Sequence, residues 1–240
     1  MNKLVLPALC LALGGVPAWS QGAVPTELAS ALERAVPEGD DAHWRFLLTF
    51  TGAEGSVVAH FDGSRPVEER WTLIAPDEAG MSDAQREIWE DIVDEGDDEG
   101  EDGGLFFSAG DVAFQPGTLE LSGGGGGGAD LTYTFRPQFD PEDEEEAAFA
   151  EHLCGEVTVG GEPAGVRRFR LWAPESFKPH FAVRVHAFEM EQEYSELDGL
   201  PAPVLTRMTQ TVSGSAAFQS FEERVELEFS EIEYLGDSAR

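Results

Sequence analysis

Lysine and cysteine are nearly missing from this chain. Its 240 residues include only Lys3 and Lys178, and only Cys10 and Cys154. Cys10 sits in an apolar N-terminal stretch, so a chain that loses that stretch keeps one thiol and can form no internal disulfide. A lone thiol of this kind is most often a small buried apolar side chain. Positive charge is scarce throughout: 15 Lys and Arg face 47 Asp and Glu, a formal net charge of −32. Charge of this sign repels nucleic acid and anionic membrane at long range, so neither is expected as a partner, and no stable membrane insertion is expected.

Long hydrophobic runs are missing too. LVLPALCLALGGV (4–16) is too short to span a bilayer, and no second run follows it. Asn2 and Lys3 precede it, and Ala18-Trp19-Ser20 places small residues at the −3 and −1 positions of a cleavage site before Gln21. Residues 1–20 therefore read as a signal peptide cut after Ser20, which predicts a periplasmic or secreted protein. Leu9 before Cys10 is too large for a lipidation signal. Loss of Lys3 takes the net charge from −32 to −33. Residues 21–240 are expected to form a single β-rich domain with acidic or glycine-rich insertions near 94–104, 123–128 and 140–148.

The familiar catalytic motifs are absent as well. There is no G-x-S-x-G elbow, H-E-x-x-H, C-x-x-C, or glycine loop ending in Lys-Ser or Lys-Thr. The six glycines at 123–128 lead into the strand-like LTYTF, so the helix N-terminus that would hold a pyrophosphate is missing. His180 and His186 share one predicted strand face about 20 Å apart, too far to ligate one metal. His152 and Cys154 lack two further zinc ligands. DIVDEGDDEGEDGG (91–104) fails the calcium-loop offsets, because Gly96 or Gly100 falls where an oxygen ligand is required. It is expected to be a solvated, poorly ordered loop. No cofactor, no metal and no enzyme activity are expected, and a carboxylate-based hydrolase ranks only third among the readings.

What the chain does have is alternation. In AHWRFLLTF (42–50), Trp44, Phe46, Leu48 and Phe50 fall on one side, and SVVAHF and RWTLIA repeat the period. DGSRP (62–66) is turn chemistry between them. TELASALERAV (26–36) reads as a helix ending before Pro37. SDAQREIWEDIVDE (82–95) reads as a second, with a Ser82/Gln85 capping box, and DPEDEEEAAFAEHLC (140–154) as a third. LFFSAGDVAF, TLELS, ADLTYTFRP, GEVTVG, VRRFRLW, HFAVRVHAFEMEQEY, PVLTRMTQTVS, GSAAFQSF and ERVELEFSEIEYL all read as strands. In the last, the apolar phase moves from odd to even positions near Ser230, which predicts a bulge there. The sum is an α+β fold: one large curved antiparallel sheet, a half-barrel of about 10–11 strands, with about three helices.

Six arginines, Arg45, Arg70, Arg136, Arg184, Arg207 and Arg224, fall on different predicted strands opposite the apolar face. They read either as partners in cross-strand Arg–Glu pairs or as a ring around an anionic head group, with Arg184 and Arg207 as its contacts. Opening with TELASALERAV before AHWRFLLTF, and continuing with SRPVEERWTLIAPDEAGMSDAQREIW, the chain resembles the periplasmic lipoprotein-carrier (LolA-like) superfamily, and also uncharacterised proteobacterial exported proteins. That resemblance implies a half-open barrel closed by helices and holding acyl chains. The corresponding expectation is a monomeric, non-enzymatic carrier of a lipid or other apolar ligand. Its interior would be lined by Trp44, Phe46, Leu48, Trp71, Leu73, Tyr133 and Phe135, with Trp89 and Ile92 on a covering helix. The alternative is a structural or interaction domain with a closed core and no small ligand.

Overall fold

In a computed structural model of the protein, the structure describes residues 24–34, 42–98, 105, 107, 114–124, 130–138, 149, 151–200, 202–217 and 219–237. Two helices and eleven strands run in the order α1 (Thr26–Arg34), β1 (Ala42–Gly52), β2 (Gly55–Asp62), β3 (Trp71–Ala75), α2 (Asp83–Asp98), β4 (Glu120–Gly123), β5 (Leu131–Phe135), β6 (Cys154–Gly160), β7 (Gly165–Trp172), β8 (Phe177–His180), β9 (Val183–Ser195), β10 (Val204–Ala216) and β11 (Gln219–Asp237). The strands make one antiparallel sheet in the order β3-β2-β1-β11-β10-β9-β7-β6-β5-β4, with β8 pairing β9 off that path. The sheet is open, with β3 and β4 at its edges.

The predicted meander of β1, β2 and β3 is present. What joins it to the rest is β11, whose residues 219–228 pair with β10 and whose residues 226–237 pair with β1. The expected slip near Ser230 is a bulge. Ser230 lies opposite Leu47 and Glu233 opposite Arg45, so two residues of β11 face Phe46 alone, and Glu231 takes a left-handed φ of 54°.

Several expectations need correction. GSAAFQSF (214–221) is not a strand of its own: Gly214–Ala216 end β10 and Gln219–Phe221 begin β11, with Ala216 paired to Gln219. Strand β8 was not anticipated, since its Pro179 argues against strand in a sequence pattern. The second helix runs on to Asp98, well into the acidic run that was expected to be loop; residues 99–104 lie outside the described residues, as do 125–128 of the glycine run. The third predicted helix falls mostly outside them too, although Phe149 is helical and Cys154 already begins β6. Of LFFSAGDVAF, Leu105 and Phe107 are buried outside any strand, and Phe114 forms an isolated bridge with Pro137. Arg70 and Arg136 sit just outside strands β3 and β5.

Each helix is placed by simple chemistry. The Ser82 amide donates to Gln85 Oε1 (3.1 Å) while the Gln85 amide donates to Ser82 Oγ (3.1 Å), so the capping box is closed in both directions. Gln85 Nε2 then reaches Ser56 O (3.1 Å), docking α2 on β2. Helix α1 turns Leu28, Ala31 and Leu32 onto β6 and β7, all fully buried. Gly155 on β6 has no side chain because the Phe135 ring lies against its α-carbon.

Candidate functional site

Among the described residues the sheet has a covered apolar face and an uncovered polar one, and each is a candidate. On the covered face, Trp44, Phe46 and Leu48 are buried with Phe61, Leu105, Ala202 and Val204; Trp71 and Ile92 pack against them. Phe46 stacks on Phe61 with ring centroids 4.8 Å apart, and meets Trp71 edge-on at 5.8 Å and Phe229 at 5.5 Å. Tyr133 and Phe135 belong to a different cluster, built on α1 and strands β5 to β10 and filled by Phe107 and Phe149. Phe107 meets Phe169 at 5.5 Å, and Phe149 meets Phe188 at 5.0 Å. Leu73 and Trp89 are half-buried and belong to neither cluster among the described residues.

Of the nine residues expected to line one interior, seven are therefore divided between two clusters, five in one and two in the other. Phe229 of β11 touches both. In each cluster the nearest neighbours of an aromatic ring are other side chains of the protein, at ordinary ring-packing separations. Burial, and after it the Glu27 carboxylate, push the Tyr133 phenol above its usual 10.0, so it stays neutral among apolar neighbours.

The uncovered face carries a ladder of charges. Arg168 of β7 reaches Glu191 (2.8 Å) and Glu156 (4.0 Å); Arg170 reaches Glu189 (2.7 Å) and lies 4.9 Å from the Trp172 ring centre. Arg207 of β10 pairs with Glu226 of β11, which Arg224 also approaches at 3.8 Å. Arg45 of β1 bridges Glu233 (3.3 Å) and Asp62 (3.4 Å). A cleft of about 180 Å³ on this face is lined by Glu191, Glu193, Arg207, Thr209 and Arg224.

Arg184 and Arg207 are not brought together. Arg184 lies opposite Ser215 on β10, eight residues beyond Arg207, which is about 27 Å of strand. Its guanidinium donates to Ser176 Oγ at 3.5 Å. The residues that sequence reasoning passed over are Glu189, Glu191, Glu193, Arg168 and Arg170. The signal was present in the polar phase of EMEQE and RRFR, but assigning partners to it needs the strand order.

At the end of β2, Asp62 Oδ1 accepts from the Ser64 hydroxyl (2.6 Å) and amide (3.2 Å), while Arg45 and Arg65 face Oδ2 at 3.4 and 3.6 Å. Burial pushes this carboxyl up, but the two Ser64 hydrogen bonds and the two guanidiniums outweigh it, and the net shift is downward from 3.8. Among the described residues no three His, Cys, Asp or Glu side chains gather to hold a metal ion. His152 instead stacks on Phe177 at 4.5 Å, and Cys154 lies across from Trp172. Within the described residues no helix is long and apolar enough to cross a membrane. Compared with protein-family models, characterised proteins and solved structures, the chain finds no match.

Proposed function

We propose that the protein is an exported, non-enzymatic interaction domain whose interior is closed by its own side chains and which meets its partners through the surface of the sheet. On this reading the sheet curls as a half-barrel and the helices fill its concave side. One observation carries the reading: Phe46, the residue at the centre of the expected acyl-binding interior, is fully buried and ringed by Phe61, Trp71 and Phe229 at packing distance. A pocket that holds acyl chains needs apolar walls facing a space, whereas these walls face each other. The cross-strand Arg–Glu ladder supports the same reading, since it uses its arginines on the protein's own carboxylates rather than on a head group.

Mass spectrometry of organic extracts from protein purified without detergent tests it. The expected result is no lipid above background. An acyl lipid recovered in stoichiometric amount would assign the carrier function instead, with the two aromatic clusters as halves of a site that opens.

A further inference from the structure

We propose that the cleft around Thr209 on the uncovered face binds a free α-amino acid with little or no side chain, its ammonium group against Glu193 and its carboxylate against Arg224 and Arg207. This goes beyond the proposed interaction domain, because it names a small ligand and the part of the sheet surface that holds it.

The cleft follows from register and side-chain length. Thr209 of β10 stands opposite Glu191 of β9 on one side and Glu226 of β11 on the other. Glu193, two residues from Glu191, and Arg224, two residues from Glu226, are its diagonal neighbours on opposite sides, each about 7–8 Å away along the sheet. Arg207 lies two residues back along β10 on the same face, about 7 Å away. Long charged side chains thus stand around one short hydroxyl, and the threonine leaves the hollow of about 180 Å³ between them.

The ion pairs of this face leave one charge of each sign without a close partner. Glu193 is flanked in register by Arg168 and Arg207, yet both guanidiniums turn to other carboxylates. Arg168 reaches Glu191 at 2.8 Å and Arg207 takes Glu226. Among the described residues no cation stands at ion-pair distance from the Glu193 carboxylate, which is exposed on the cleft. Arg224 is 63% exposed and approaches only Glu226, at 3.8 Å, a carboxylate that Arg207 already holds. A third sign is the buried Nε–H of Arg207, which has no acceptor among the described residues. Buried donors are normally paired, and a carboxylate seated beside Arg207 supplies an acceptor once the guanidinium turns to it.

These charges select against simple ions. An anion meets Glu191, Glu193 and the −32 of the body, and a cation meets Arg207 and Arg224. A neutral zwitterion meets no long-range repulsion, and each of its ends has a matching group on the opposite walls. The cleft is smaller than the roughly 300–1,000 Å³ of sites for drug-sized molecules, and no apolar side chain lines it, so nothing there recognises a long or apolar side chain.

Titration of the isotope-labelled full chain with free glycine, followed by backbone amide resonances, tests the proposal. Saturable shifts are expected around Glu191, Glu193, Arg207, Thr209 and Arg224, with a dissociation constant on the order of 1–10 mM, as suits a small ligand held by exposed ion pairs. Acetate and methylammonium, which each carry only one of the two charges, should bind more weakly than glycine. Glu193→Gln and Arg224→Gln should each weaken glycine about two- to fivefold, the worth of one exposed ion pair. Thr209→Leu should abolish binding by filling the hollow. Unchanged thermal melts would show that these surface variants still fold. No saturable shift, or shifts indifferent to both Glu193→Gln and Arg224→Gln, overturns the proposal. Methylammonium binding as tightly as glycine would also overturn it, and would give the cleft to a simple cation. The closed interior is tested separately by lipid extraction, so an empty cleft would leave that reading standing.

Discussion

Asp62 is a carboxylate placed where burial works against its charge. Its side chain is 9% exposed, and it stays ionised because the Ser64 hydroxyl and amide, Arg45 and Arg65 all favour the anion. Its folded pKa lies below the ordinary 3.8, so the stability it contributes is fully present above 3.8 and is lost as the pH falls through the lower folded value. Asp62→Asn should cost about 1–2 kcal/mol near neutral pH, because it removes two guanidinium partners while keeping the volume. Urea unfolding followed from about pH 6 to about pH 2 should show this acid-side loss in wild type and a flatter profile in Asp62→Asn. Parallel profiles would mean that the turn is held by the Ser64 contacts alone. DGSRP announces the turn in the sequence. It does not announce that Arg45, a strand away, completes the site.

At the scale of the element, two positions expose what backbone geometry demands. Glu231 has a φ of 54° in the β11 bulge, a conformation that costs a residue with a β-carbon roughly 1 kcal/mol and glycine almost nothing. Glu231→Gly should therefore raise the thermal midpoint, and a lowered midpoint would mean that the side chain itself holds the bulge. Gly155 is the opposite case: the Phe135 ring occupies the space of a β-carbon, so Gly155→Ala should destabilise by about 1–3 kcal/mol. Phe135→Leu in the same chain should recover part of that loss, and urea midpoints of the three variants decide it. These elements also show what was legible. Strict alternation placed β1, β2 and β3, and alternation with one phase slip placed most of β11, because a strand with one buried face must repeat every two residues. The same logic took GSAAFQSF as one strand where it holds the end of β10 and the start of β11, and passed over β8, where proline mutes the signal. The capping box of α2 was readable because all its parts are local. The pairing of Arg45 with Glu233, 188 residues apart, was not, because period alone carries no strand order.

For the whole molecule, charge sets the response to solvent. A net −32 makes self-repulsion a general penalty on the compact state, while the Arg–Glu ladder is a smaller, local gain. Added salt screens both, and with acids outnumbering bases 47 to 15 the repulsion dominates. The thermal midpoint should rise between low salt and roughly 1 M sodium chloride, where the Debye length falls to about 3 Å. A falling midpoint would place the balance with the ladder.

Strand β11 lends its first half to β10 and its second to β1. Strand β1, already paired with β2, thus finds its second partner only at residues 226–237. Loop closure over that separation is slow, and pairings so distant in sequence delay folding. While the chain is being made, the N-terminal meander has one side unmet and the two halves of the sheet remain unjoined. Commitment to the native sheet is therefore a late, whole-chain event, and a polypeptide that stays uncommitted until its last strand is complete can still be threaded through a narrow passage after most of it exists.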